Sequence, residues 1–181
     1  MDLEVSSLIK GVGSIMEIVN FTNDKSLFER AEKIFIEHEK IIKGQLPEAD
    51  IQHIGSTSIR NSLTKGDVDI QVRVLPEHFP KAVQVLSKLY LLNEGSIKND
   101  FFRAFKDDST DPPLGVQLTV IDSEFDFFWK FRDILLINEK YQKEYDNLKR
   151  NYEGKEMDKY REAKNEFFQK IIETPEFNKL R

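Results

Sequence analysis

The sequence predicts an α+β fold: a mixed β-sheet with helices packed on one face and a helical C-terminal region. Three observations lead there. Asp67-Val68-Asp69-Ile70-Gln71-Val72-Arg73-Val74 alternates strictly, with Val68, Ile70, Val72 and Val74 on one face and Asp67, Asp69, Gln71 and Arg73 on the other. Helical stripes recur after Ser26, after Phe79 and from Asn138 onward. Two strand-like runs, 101–106 and 114–122, flank the polar loop 107–113 and read as an antiparallel hairpin. A chain of 181 residues is expected to form one domain with a proper core. Its divisions are an N-terminal arm (1–14), an α/β core (15–124) and a helical part (125–181).

Taken in order, residues 1–13 carry an apolar pattern cut by Gly11 and Gly13, and a short strand is expected at 15–19. Ser26 with Glu29 makes a capping-box pattern before Leu27, Ala31, Ile34, Phe35, Ile41 and Ile42. A helix over 26–43 follows, with Gly44 just past its end. Ile51 to Ile54 reads as a strand that breaks at Gly55-Ser56-Thr57-Ser58. After the alternating Asp67–Val74 run, Phe79, Ala82, Val83, Leu86, Leu89 and Tyr90 give the crossover helix that a mixed sheet needs. The C-terminal third is aromatic and helical, with interspersed charges that read as a solvated face.

Composition narrows the chemistry. There are 27 basic and 32 acidic residues, a formal net charge of −5, which argues against general nucleic-acid binding. The chain has no cysteine, so thiolate chemistry and disulfides are excluded. No apolar run is long enough to span a membrane and the N-terminus lacks a signal layout, so a soluble, cytoplasmic protein is expected.

The candidate site lies in 51–74. Asp67 and Asp69 point the same way from one strand, their Cβ atoms roughly 6–7 Å apart. A divalent cation between them relieves their repulsion, and hard oxygen ligands suit Mg²⁺, with substrate phosphates completing its shell. Gly55 lets a ligand approach the backbone, and Ser56, Thr57 and Ser58 offer hydroxyls and N–H groups to phosphate oxygens. Alone, the Gly-Ser turn reads equally as a turn and the Asp pair as a solvated face; their proximity favours a site.

This arrangement resembles the nucleotidyltransferase superfamily, the DNA polymerase beta-like fold, in Ile54-Gly55-Ser56 followed by Asp67-Val68-Asp69-Ile70. Within it the chain is more closely similar to the GrpB family, through His53, Gly55, Ser56, Thr57, Lys65 and Asp69. Phe101-Phe102-Arg103, Phe131-Arg132-Asp133, Tyr145-x-x-Leu148-Lys149 and Tyr160-x-x-Ala163-Lys164 extend the likeness. The resemblance implies a nucleotidyltransferase-like sheet, with Asp67 and Asp69 as catalytic and metal-binding residues for Mg²⁺ or Mn²⁺. It further implies phosphate contacts from Gly55, Ser56, Thr57, Ser58, Lys65 and Arg103, the last equally readable as a surface arginine. His53, Gln117, Arg132 and Lys164 are additional candidates. The implied activity is transfer of a nucleotidyl group from a nucleoside triphosphate to an unidentified small-molecule acceptor. The alternative is a nucleotide- or phosphometabolite-binding protein without catalysis. One departure bears on that choice: the strand expected to carry a third acid presents Gln117 and Thr119, with Asp122 the nearest acid beyond them.

Overall fold

Val68, Ile70, Val72 and Val74 are each no more than 1 % exposed, so the alternation of 67–74 does what it predicts and lays one strand face onto a core. That strand, β2 (Val68–Val74), is an interior strand of a five-stranded sheet of order β1 (Asp50–Ile54), β2, β5 (Leu114–Val120), β4 (Phe102–Asp107), β3 (Leu91–Leu92). The computed structural model describes residues 16–180; the expected arm at 1–14 lies outside them. β1 pairs antiparallel with β2, and β5 pairs parallel with it. β4 is antiparallel to β5, as the hairpin pattern predicts, and β3 completes the edge. The β2–β5 pair is the only parallel one in this sheet, and α2 (Phe79–Leu89) lies on the connection that makes it possible.

Helices α1 (Lys25–Gln45) and α2 cover one sheet face. Ala31, Ile42, Leu46, Ala82 and Leu86 pack there against Val68, Ile70, Val116 and Leu118. The C-terminal helices α3 (Phe128–Ile137), α4 (Glu139–Tyr152), α5 (Met157–Ile172) and the short α6 (Pro175–Asn178) form a second cluster against Phe102, Ala104 and Ile59. Because Phe102 and Ala104 alternate with Phe105, which packs with the first cluster, the helical region rests on the other sheet face.

Two local expectations change. Asp24, not Ser26, caps α1, its Oδ1 accepting from Ser26 N at 3.0 Å, and the helix runs through Gly44 to Gln45. A carboxylate one position before the first helical residue takes the orphan N–H that the hydroxyl was expected to take. Residues 16–19 form no sheet strand. Ile18 instead bridges Glu156, and Thr22 bridges Thr64. Val19 donates its N–H to Lys155 O (2.9 Å) and accepts from Gly154 N (2.9 Å). The segment is a strap between the α4–α5 turn and the sheet-side loop at Thr64.

The polar face of β2 divides along its length. Gln71, fully buried, donates to Thr119 Oγ1 (2.9 Å) and Asp126 Oδ1 (3.0 Å) and accepts from Trp129 N (2.9 Å). Arg73 binds Asp126 at 2.7 Å and Asp50 at 2.6 Å. These contacts fasten the start of α3 to the sheet and leave Asp69 at the open end.

Candidate functional site

A cavity of about 240 Å³ lies where the helical region meets the open end of β2. Asp67, Asp69, Gly55, Ser56, Lys65, Gln117, Arg132 and Lys164 all line it, which brings most of the expected site residues together. The turn after β1 is shaped around Asp69. Gly55 has φ +72° and ψ −176°, a conformation essentially confined to glycine, and a Cβ there would lie 2.6 Å from Asp69 Oδ2. On the other flank, Gly115 is the register partner of Asp69, and a Cβ on it would lie 2.9 Å from Oδ1. At these two positions only glycine backbone stands against the carboxylate.

Burial, then the neighbouring Asp67, raises the Asp69 pKa above the usual carboxylate range, while Lys164 and Lys65 pull it back. Lys65 Nζ lies 2.9 Å from Asp67 Oδ2. Lys164 is pushed down from the usual lysine range, first by loss of solvent and then by Lys65, against the opposing pull of Asp69 and Asp67. Two carboxylates and two ammonium groups thus share one part of the cavity, with Lys65 and Asp67 still partly exposed to solvent. Among the described residues no three His, Asp or Glu side chains gather as a metal site. The paired carboxylates, with Asp69 destabilised as an anion and unobstructed by Gly55 and Gly115, fit a single hard divalent cation that takes its remaining ligands from water and phosphate.

The position expected to carry a third acid holds an amide. Gln117 Nε2 donates to Asp69 Oδ1 at 3.3 Å, and Gln117 Oε1 is buried with no hydrogen-bond partner among the described residues. Thr119 is committed to Gln71. Asp122 sits past the end of β5 with φ +61°, its N–H donating to Asp126 Oδ2 (2.9 Å). It lies roughly 20 Å along the strand from the Asp69 level, by the rise per residue.

Other expected residues act indirectly. Thr57 is buried and donates through Oγ1 to Asp67 O at 3.0 Å, and Ser58 Oγ donates to Gly55 O at 2.6 Å, so both hydroxyls hold the turn. His53 faces α1, stacked on Phe35 (ring centroids 4.8 Å apart), with Nε2 3.3 Å from Thr57 Oγ1 and Nδ1 3.4 Å from Glu32. Burial lowers its pKa against the pull of Glu32. Arg132 donates to His53 O and Gln52 Oε1, each at 2.9 Å, and pairs with Asp133, which pins α3 to β1. Arg103 does not reach the cavity. Its register partner is Leu118, which faces α2, so alternation turns it away from Asp69, and it donates to Asn99 O at 3.3 Å.

One cluster lies beyond the sequence reading. Lys149, 1 % exposed, donates to Ser56 Oγ (3.0 Å), Ser62 Oγ (3.1 Å) and Leu63 O (2.6 Å), and its Nζ lies 3.3 Å from Asp146 Oδ1. It also stands 3.9 Å over the Tyr145 ring. Burial lowers its pKa to about 8 despite Asp146. Asp146 in turn accepts from Ser62 Oγ (2.7 Å) and Leu63 N (3.1 Å). In the sequence Lys149 stands in the family-like motif Tyr145-x-x-Leu148-Lys149, but no role follows from it, because a lysine on a helix of balanced charge reads as solvated. Tyr145 and Tyr160, 3.2 Å apart at their hydroxyls, complete this wall; burial pushes Tyr160 up to about 12.

Among the described residues no helix is long and apolar enough to cross a membrane. The fold is similar to that of the GrpB protein from Enterococcus faecalis, with TM-score 0.59 at 19% identity over 84% of this chain and 99% of that one. It is also similar to Cid1, described as having RNA terminal uridylyl transferase activity, with TM-score 0.52 at 13% identity over 71% of this chain and 40% of that one. These likenesses establish a nucleotidyltransferase-like fold. In sequence, a UPF0157 protein of Vibrio cholerae is 34% identical over 145 residues, 78% of this chain and 75% of that protein. The profile of the GrpB protein family matches residues 25–174, so the chain belongs to the GrpB family.

Proposed function

We propose that the cavity binds a nucleoside triphosphate and transfers its nucleotidyl group to a small-molecule acceptor. The observation that carries this reading is the pairing of Asp67 and Asp69 with the Gly55–Ser56 turn in one part of a cavity that also holds Lys65 and Lys164. A Cid1 structure of similar fold is described in complex with the UTP analogue UMPNPP, which supports a nucleotide as the ligand class.

Asp67 and Asp69 would hold one Mg²⁺ or Mn²⁺, which when bound supplies charge neutralisation to the triphosphate. Gly55 and Ser56 let the phosphates approach the backbone closely, and Lys65 and Lys164 balance their charge. The Lys149 contacts fix the Ser56 hydroxyl and the loop at 62–63, so the turn is in place before the ligand arrives. In transfer, a bond forms between the acceptor oxygen or nitrogen and the α-phosphorus. The bond from that phosphorus to its bridging oxygen breaks, pyrophosphate leaves with the electron pair, and the acceptor proton goes to solvent.

Gln117 favours a second reading, binding without efficient transfer. An amide beside Asp69 cannot take the acceptor proton, and it brings no negative charge to a second cation site. The two readings separate in one set of measurements on the wild type, Asp69→Asn and Gln117→Asp. Mg²⁺-nucleotide should raise the wild-type Tm, and Asp69→Asn should weaken binding by about tenfold or more. Pyrophosphate release across candidate acceptors should be slow in the wild type and faster in Gln117→Asp. Equal nucleotide affinity in wild type and Asp69→Asn would sink both readings. Binding with no release from either protein would leave the binding module.

A further inference from the structure

The cavity lining has two chemically different parts. Asp67, Asp69, Lys65, Lys164 and Ser56 belong to one, and Ile59, Phe127, Phe131, Leu135 and Phe168 form the other. The apolar part is built from α3, the turn before it and α5. The Phe127 and Phe131 ring centroids are 5.2 Å apart, those of Phe131 and Phe168 4.3 Å apart, and Ile59 and Leu135 are each 3 % exposed. These side chains present no hydrogen-bonding group. Of the polar lining nearby, Arg132 is held on Gln52, His53 O and Asp133, Ser56 on Lys149, and Tyr145 and Tyr160 on each other, while Asn165 also faces the cavity.

A ligand with many hydroxyls would leave them unpaired against this wall, and so would the edges of a nucleobase. An apolar ring loses nothing there and gains burial. Gln117 lines the same cavity with its Oε1 unpartnered, because its Nε2 turns toward the acceptor-only carboxylate of Asp69. A donor from the ligand would satisfy that carbonyl. The cavity of about 240 Å³ includes the polar part as well, so with phosphates seated there the acceptor is limited to one small ring; an apolar cavity of about 150 Å³ accepts benzene.

We propose that the acceptor is a small alcohol or amine with one aromatic or alicyclic ring, its ring held by Ile59, Phe127, Phe131 and Leu135 and its donor group beside Asp69 and Gln117. This rests on the nucleotidyl-transfer reading and adds to it the acceptor's chemical class.

The test uses the full chain with Mg²⁺ and a non-hydrolysable nucleoside triphosphate. Benzyl alcohol, benzylamine and cyclohexylmethanol are titrated by ligand-observed NMR against glycerol, glucose and ribose. The ring compounds should bind about tenfold more tightly than the polyols. Ile59→Phe and Leu135→Trp, which fill the apolar part, should lose that binding by about tenfold while nucleotide affinity stays within about twofold. Should both filled variants fail to fold, half-buried Phe128→Ala enlarges the same part, and 2-naphthylmethanol should gain about fivefold over wild type.

Polyols binding as well as rings, ring binding unaffected by filling, or no gain in Phe128→Ala would overturn the assignment. Loss of nucleotide in step with the rings would overturn it too, making the apolar part a base slot. Ring binding without any nucleotide binding would support the apolar slot and reject the transfer reading beneath it. Nucleotide binding without rings would do the reverse.

Discussion

At Asp69 the protein keeps a carboxylate where an amide would sit more comfortably. Burial and Asp67 both oppose its charge, so Asp69→Asn should stabilise the protein without ligand, by about 1 kcal/mol in urea unfolding, while removing cation binding. The raised pKa sets a pH dependence as well. The folded state holds this proton above the pH at which the unfolded chain releases it. Asp69 therefore favours folding at low pH, and that contribution fades as pH rises through its folded value. Cation affinity should run the other way, falling on acidification at a higher pH than an ordinary carboxylate would give; calorimetry with Mg²⁺ across pH 4–8 reads this. Gly55→Ala should cost about 1–3 kcal/mol from backbone conformation alone and weaken cation binding further, since the new methyl collides with Asp69 Oδ2. Lys149 makes the opposite case of a charge retained by its partners. Lys149→Met strands the buried Asp146 carboxylate and should cost about 3–5 kcal/mol, with Lys149→Met/Asp146→Leu recovering much of it.

Elements that repeat a simple period were legible, and those defined by a distant partner were not. The alternation of Val68 to Val74 placed β2 and the shared direction of Asp67 and Asp69, and the pattern around 107–113 gave the β4–β5 hairpin. The cap of α1 was misplaced by two residues because Asp24 and Ser26 can both accept an orphan N–H, and only geometry chooses. Arg103 was drawn to the site by its place in a motif, although strand alternation turns it to the opposite face. Lys149 stood in a motif but without a role, because Ser56 and Ser62, which together with Asp146 on its own helix make its burial tolerable, come from a distant loop. The corrected end of α1 carries its own prediction. Gly44 lies inside the helix with open space where a Cβ would go, so Gly44→Ala should stabilise by about 0.5–1 kcal/mol in thermal or urea unfolding.

Across the whole molecule, the cavity exists only where the sheet and the helical region meet, and the strap from Glu17 to Thr22 touches both sides of that junction. The parallel pairing of β2 with β5 sets an order in time. Asp69 and Gln117 belong to strands separated by the whole excursion through α2, β3 and β4, and that loop must close before the two side chains meet. A ligand that grips this junction is expected to recognise contacts completed only in the native state. Saturating Mg²⁺-nucleotide should slow unfolding while leaving the refolding rate unchanged, visible as a shift confined to one limb of the chevron. The bound protein would owe its persistence to a slower escape from the native state, not to a faster route into it.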